Sequence, residues 1–226
     1  DEGFGVNVEA VEQLAEEGVK LMITIDCGIT DVEEVALANE LGMDVIITDH
    51  HLPGTTLPAA FAIVNPKTSP AYPDQMICGS GVAFKLVQGM LKKDRRDVPE
   101  GKEKWLLDMV GIATLSDMVP LKGENRVFAS YGLRVLRKSP RVGLKKLLSS
   151  LKISQKDLTE DDIAFMITPR INVASRMGTP IDAFRLLSTT DETEAGELVE
   201  MLNGLNLERK GVVGAIVKEI QHKIAA

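Results

Sequence analysis

Apolar residues recur at three- and four-residue steps through Val8, Val11, Leu14 and Ala15, and then close up into the run Leu21-Met22-Ile23-Thr24-Ile25. The first spacing is that of one helix face, the second that of a strand. Asn7 stands where it can cap the helix, and Gly18 stops it. The alternation then repeats. Thr30-Asp31-Val32-Glu33 has the form of a capping box, Val35, Leu37, Ala38 and Leu41 carry a second helix to Gly42, and Asp44-Val45-Ile46-Ile47-Thr48 makes a second strand. Helix, strand, helix, strand at these lengths is a right-handed crossover unit. It predicts an α/β fold, a parallel Rossmann-like sheet with flanking helices, whose binding edge lies at the carboxyl ends of the strands.

Downstream, Pro53-Gly54 and Pro58 break the chain, residues 61–64 read as a short strand ended by Asn65-Pro66, and residues 66–76 form a loop rich in Pro, Ser, Tyr and Asp. Gly79-Ser80-Gly81 leads into a helix over residues 82–92; glycines there can cradle phosphate on exposed amides, but tight helix packing is the reading preferred for so short a run. Residues 105–116 predict a buried helix with Leu106, Met109, Val110, Ala113 and Asp117 on one face. A buried unpaired carboxylate is costly, so Asp117 needs a cation, a metal or the helix end. From Gly143 onward the chain is helical: Thr159-Glu160-Asp161-Asp162 can cap a helix reaching Thr168, Pro169 breaks it, and a long stripe over residues 194–224 is interrupted by Gly204, Gly211 and Gly214.

Both strand runs end in groups that bind ligands. The first is followed by Asp26-Cys27-Gly28 and the second by Asp49-His50-His51, which holds two of the chain's three histidines. Adjacent strands lie about 5 Å apart, so groups from both ends reach one ion. Carboxylate and imidazole gathered on one sheet edge point to a divalent metal.

Composition narrows the setting. No apolar run approaches the roughly 18 residues needed to cross a bilayer, and no basic-then-apolar signal opens the chain, which predicts no membrane association and a cytoplasmic protein. Cys27 and Cys78 form neither a disulfide framework nor a Cys-x-x-Cys metal site and read as small buried thiols. A net charge of −7 runs against a general nucleic-acid surface. Arg134, Arg137, Lys138, Arg141, Lys145 and Lys146 form the best basic patch, read first as a solvated helix and loop surface.

Five segments together resemble the DHH phosphoesterases: Ile25-Asp26-Cys27-Gly28; Asp49-His50-His51; Gly81-Val82-Ala83-Phe84-Lys85-Leu86; Asp117-Met118-Val119-Pro120-Leu121 with Gly123-Glu124-Asn125-Arg126; and Pro169-Arg170-Ile171-Asn172. Within that family the chain is similar to the single-strand-specific 5′-to-3′ DNA exonucleases. The resemblance implies two Mn²⁺ or Mg²⁺ ions bridged by Asp26, with His50 and Asp117 completing one site and His51 facing the scissile phosphate. It places Asp49 in the catalytic set and Arg170, Asn172 and Arg176, together with His51, against the substrate. Val173 and Ser175 depart from the family's Arg-Ile-Asn-Ala-Ala-Gly-Arg stretch, which leaves the local loop shape open where the family has glycine.

The family also carries an upstream Asp-x-Asp-x-Asp motif, which these residues lack, and the chain opens on Asp1. It therefore reads as part of a longer protein. The domain expectation is an N-terminally incomplete DHH core over residues 1–125, a helical remainder over 126–190, and a connecting helix over 191–226 toward a further domain. The expected activity is exonuclease action on single-stranded DNA in repair and recombination, with repair proteins such as a helicase or a single-strand-binding protein as partners, and weak or absent in these residues alone. The alternatives are a DHH phosphoesterase for short oligonucleotides or small phosphates, and an inactive scaffold subunit.

Overall fold

In the computed structural model, residues 5–225 are described, and the chain divides into one compact unit up to Gly132 and a second from Leu133. The first helix, α1 (Val8–Glu16), begins as its sequence predicts, with the Asn7 side chain accepting the Ala10 N–H at 2.8 Å. After β1 (Leu21–Ile25), the expected capping box does not form. Asp31 precedes α2 (Val32–Glu40) without capping it, because its carboxylate accepts instead from the Val6 N–H at 2.7 Å and from the Thr30 hydroxyl at 3.2 Å. The helix starts one residue later than a Thr30–Glu33 box would place it, and the Thr30 hydroxyl that the box would have used donates to Asp31.

β2 (Asp44–Thr48) pairs in parallel with β1, Leu21 opposite Asp44 and Ile25 opposite Thr48, and β3 (Ala62–Val64) pairs in parallel on the other side of β2. The strand order β1-β2-β3 and the flanking helices give the predicted α/β class. Val45 and Ile47 pack with Val11, Val35, Ala38 and Met43 into a buried cluster. At the edge of the described sheet, Leu21, Ile23 and Ile25 of β1 remain exposed.

The helix after the loop, α3 (Gly79–Lys93), starts three residues earlier than expected, so that Gly79 and Gly81 form its first turn. α4 (Leu107–Ser116) and α5 (Gly123–Leu136) follow. α4 is the buried helix expected, but of the predicted stripe only Val110 is fully buried, Met109 and Ala113 are half-buried, and Leu106 and Asp117 are exposed. Residues 102–106 wind as a 3₁₀ turn that leaves Trp105 and Leu106 exposed, and the helix beyond it turns Val110, Ile112 and Leu115 inward. Val110 packs with Ile77, Val82, Phe84 and Phe128 in a second cluster.

The second unit consists of α6 (Val142–Ser150), α7 (Thr168–Met177), α8 (Pro180–Ser188) and α9 (Glu192–Ala225). Thr159 and Asp162 do cap each other: the Asp162 carboxylate accepts the Thr159 N–H at 2.9 Å, and the Thr159 hydroxyl accepts the Asp162 N–H at 3.3 Å. Pro169 does not break the chain there. A π-helical stretch, Asp162–Ile167, runs into α7, whose opening turn needs no N–H from proline. Residues 170–176 are therefore helical, and Ser175 sits in α7 with no need of positive φ. α9 is one helix of 34 residues, its glycines leaving it unbroken. Of the basic patch, Arg137 donates twice to the Leu158 carbonyl, at 2.9 and 2.7 Å, Arg141 donates to the Leu187 carbonyl, and Lys146 pairs with Glu192. Much of that charge holds loops in place. No helix among the described residues is long and apolar enough to cross a membrane.

Candidate metal centre

The site is built where β1 and β2 end. Asp26 follows β1 with φ at 66°, a left-handed conformation rare for a residue with a side chain, and its N–H donates to the Thr48 carbonyl at 2.8 Å. Thr48 in turn donates its hydroxyl to the Thr24 carbonyl at 2.6 Å, and Thr24 donates its hydroxyl to the Cys27 carbonyl at 2.8 Å. The strand ends are thus laced together before any ligand is considered. Gly79, at the start of α3, lies so close that a Cβ there would stand 2.1 Å from Asp26 Oδ1.

Asp49 occupies a different place from its neighbours. It is 1 % exposed, and its carboxylate accepts the N–H groups of Ile29, His50 and His51 at 3.0, 2.7 and 3.1 Å, with His51 Nδ1 at 2.7 Å. Burial pushes its carboxyl up, but the hydrogen bonds from the His51 N–H, the Ile29 N–H, the His51 ring and the His50 N–H outweigh burial and hold it below the usual carboxylate range. An ionised carboxylate only accepts, so His51 Nδ1 must carry the hydrogen and Nε2 is the nitrogen left for other partners. Asp49 shapes the turn and orients His51 from behind.

His50 stands between two acids. Its Nε2 lies 3.1 Å from Asp26 Oδ1 and its Nδ1 lies 3.8 Å from Asp117 Oδ2. The hydrogen bond to Asp26 raises the His50 pKa, burial opposes the rise, and the charges of Asp26 and Asp117 add to it; the net shift is upward. Asp117 is the residue that ends α4, so the acid emerges at the helix terminus and also meets an imidazole. Asp26, His50 and His51 each offer a ligand atom within 4.8 Å of the others, and the His51 side chain is 60 % exposed. That carboxylate and two imidazoles are a donor set suited to a divalent ion between the hard and borderline classes, and Asp117, at the other ring nitrogen of His50, lies outside this group of three.

Supports that the sequence reading passed over surround this cluster. Asn65, 2 % exposed, donates to the His51 carbonyl at 3.0 Å and accepts the Lys67 N–H at 2.8 Å, while Lys67 Nζ donates to the His50 carbonyl. Asn65-Pro66 is legible in sequence only as a strand end. Lys85 and Glu124, from two of the segments that carry the resemblance, pair at 2.5 Å, and Tyr72 donates to the same carboxylate. These segments therefore meet in a packing network. Cys78 is buried and Cys27 half-buried, both free, and burial is the first cause raising each thiol's pKa. That is the behaviour of unreactive thiols.

In the second unit the three residues expected at substrate separate. Arg170 donates to Asn203 Oδ1 and to the Met166 carbonyl, both at 2.7 Å, and burial lowers its pKa. Asn172 and Arg176 instead line a cavity together with Arg209 of α9, a residue that sequence spacing did not single out.

Residues 4–114, which include Asp26, Asp49, His50 and His51, match the DHH family, N-terminal domain. The chain is 41% identical over 222 residues to the single-stranded-DNA-specific exonuclease RecJ of Bacillus subtilis, covering 96% of this chain and 27% of that protein. It is 37% identical over 220 residues to the enzyme of the same name from Thermus thermophilus, covering 97% of this chain and 32% of that protein. Among solved structures, an exonuclease RecJ bound to manganese superposes with a TM-score of 0.88 at 35% identity, over 99% of this chain and 55% of that one. A Thermus thermophilus RecJ in complex with Mn²⁺ gives 0.84 at 35% identity, over 94% of this chain and 31% of that one. The chain thus spans well under half the length of these curated relatives. On the matched domain, the identities and the shared fold, it belongs to the DHH family.

Proposed function

We propose that this chain carries the metal-binding part of a cytoplasmic 5′-to-3′ exonuclease that hydrolyses phosphodiester bonds of single-stranded DNA in repair and recombination. The observation that carries the reading is the placement of His50 between Asp26 and Asp117, at 3.1 and 3.8 Å, at the carboxyl edge of a parallel sheet. The similar proteins are named for single-stranded DNA, and solved relatives hold Mn²⁺ or Mg²⁺. Asp26, His50 and Asp117 are the residues that would hold a divalent ion here. A bound divalent cation supplies charge at the phosphoryl oxygens and lowers the pKa of an attacking water.

The chain's own groups do the rest. His51, held by Asp49 through Nδ1, presents its second nitrogen as the group nearest a scissile phosphate. Asp49 stays behind the site, fixing the backbone that delivers both imidazoles. Asn172 and Arg176 bind the strand, and Arg170 holds α7 against α9 through Asn203. In domain terms, residues 1–125 form the catalytic core, 126–190 its helical remainder, and 191–226 a connecting helix. Single-stranded DNA is the partner, with a helicase or single-strand-binding protein as an associate in repair.

The protein expressed from its complete reading frame, given Mn²⁺ and end-labelled DNA, is expected to release short products from the 5′ end of a long single strand, to spare the duplex, and to stop when a chelator is added. His50→Ala should lower the rate by at least about a hundredfold, the scale on which a group acting on transition-state charge contributes. Preference for dinucleotides over long strands would move the assignment to a phosphoesterase of small substrates. Cleavage unchanged in His50→Ala would refute the site.

A further inference from the structure

The cavity lined by Thr168, Pro169, Asn172, Val173, Arg176 and Arg209 has a volume of about 180 Å³ and no carboxylate in its lining. Arg176 has neither a hydrogen bond nor an ion pair to another described residue, and Arg209 is tethered at one end only, its Nη2 donating to Asn206 Oδ1 at 3.2 Å. Asn206 is itself 2 % exposed, one turn away on α9, so it fixes the guanidinium plane. Arg209 Nε is left buried with no hydrogen-bond partner. A buried donor on a permanently charged group is expensive to leave unpaired, and a guanidinium presents a fork of N–H groups shaped for phosphate oxygens. Two cations without an acid, an amide beside them and an unspent buried donor describe an anion site.

We propose that Asn172, Arg176 and Arg209 form a phosphate-binding cavity, with Arg209 of α9 as the residue that completes it. This rests on the reading of the chain as a phosphodiester-handling protein but assigns the contact differently from sequence spacing. Arg170 is spent on Met166 and Asn203 and acts as a positioning residue, whereas Arg209, distant in sequence, reaches the cavity. The ligand chemistry is a phosphate group, either in the backbone of a single strand or free in solution.

The test uses the 226-residue chain with metal chelated, so that binding is measured apart from hydrolysis. Fluorescence anisotropy of a labelled single-stranded oligonucleotide across several salt concentrations forms one arm, and calorimetric titration with inorganic phosphate forms the other. Arg209→Gln is expected to weaken binding about tenfold, the scale of a lost charge-assisted hydrogen bond, and to lower the single-strand salt slope by about 0.7. Arg209→Lys, which keeps the charge and loses the fork, should lose affinity yet keep the slope. Loss in the oligonucleotide arm identifies a strand phosphate, and loss confined to the phosphate arm identifies a free anion. Circular dichroism of both variants checks that the helices persist. Folded Arg209→Gln that matches the parent in both arms overturns the proposal, even if metal-dependent cleavage by the complete protein succeeds. Failure of that cleavage, with binding still dependent on Arg209, would instead count against the exonuclease reading alone.

Discussion

Gly79→Ala is expected to weaken Mn²⁺ binding by about 10- to 100-fold, the range seen when groups supporting a metal ligand are displaced, in a chain that still folds. The added Cβ would lie 2.1 Å from Asp26 Oδ1, 2.3 Å from Cγ and 2.6 Å from Cβ, so the clash involves the whole side chain. Asp26 has little room to yield. Its backbone is left-handed, its N–H is tied to Thr48, and its carboxylate faces His50. Rotation of that carboxylate out of the cluster is the cheapest response, and the remaining strain should cost about 1–3 kcal/mol of stability. Calorimetric Mn²⁺ titration beside a urea unfolding curve separates the two effects. Affinity equal to the parent's would show that the close approach of α3 does not shape the site.

Asp49→Asn carries the largest expected cost in stability, about 3–5 kcal/mol at neutral pH. The substitution keeps the shape but removes the charge and turns one acceptor oxygen into an NH₂: with the amide oxygen keeping the His50 and His51 N–H groups and the His51 ring, the NH₂ faces the Ile29 N–H. A donor then faces a donor in a site that is 1 % exposed. The pH dependence has a definite sign. Because the carboxyl's folded pKa lies below its unfolded value, its contribution is fully present above about pH 4 and is lost as pH falls through the folded value. The stability gap between parent and Asp49→Asn should therefore shrink on acidification below that point. Urea midpoints measured at neutral and acidic pH check this, and a gap that stayed constant would contradict it.

Much of the fold was legible because strand runs and helix stripes differ in period. Asp26 and Asp49-His50-His51 follow strands, and a parallel crossover necessarily brings their ends together. What was not legible depends on tertiary contacts. The Thr30 hydroxyl expected to cap α2 donates instead to Asp31, whose carboxylate also holds the distant Val6 N–H. Leu106 dropped out of the α4 stripe because it lies in a 3₁₀ turn, and α4 is buried on more than the one face its spacing marked. Pro169 looked like a break because its missing N–H forbids an ordinary helix interior, and the π-helical stretch before it removes that demand. Asp49 and His50 are adjacent letters of one motif, yet one points into the core and the other into the cluster, a distinction that period-two alternation suggests only while a strand lasts. Gly79 was legible as a close-packing glycine but its partner Asp26 was not, and Arg209 carries no local signal, since each matters through a residue far away in the sequence.

The central claim is that Asp26, His50 and Asp117 form a cation site, and calorimetric titration of the 226-residue chain with Mn²⁺, alongside its His50→Ala form, tests it most directly. The account predicts weak saturable binding by the parent and a loss of about tenfold or more on removing the imidazole that stands between the two acids. Absence of saturable binding by the folded parent, or equal affinity in both proteins, would contradict it.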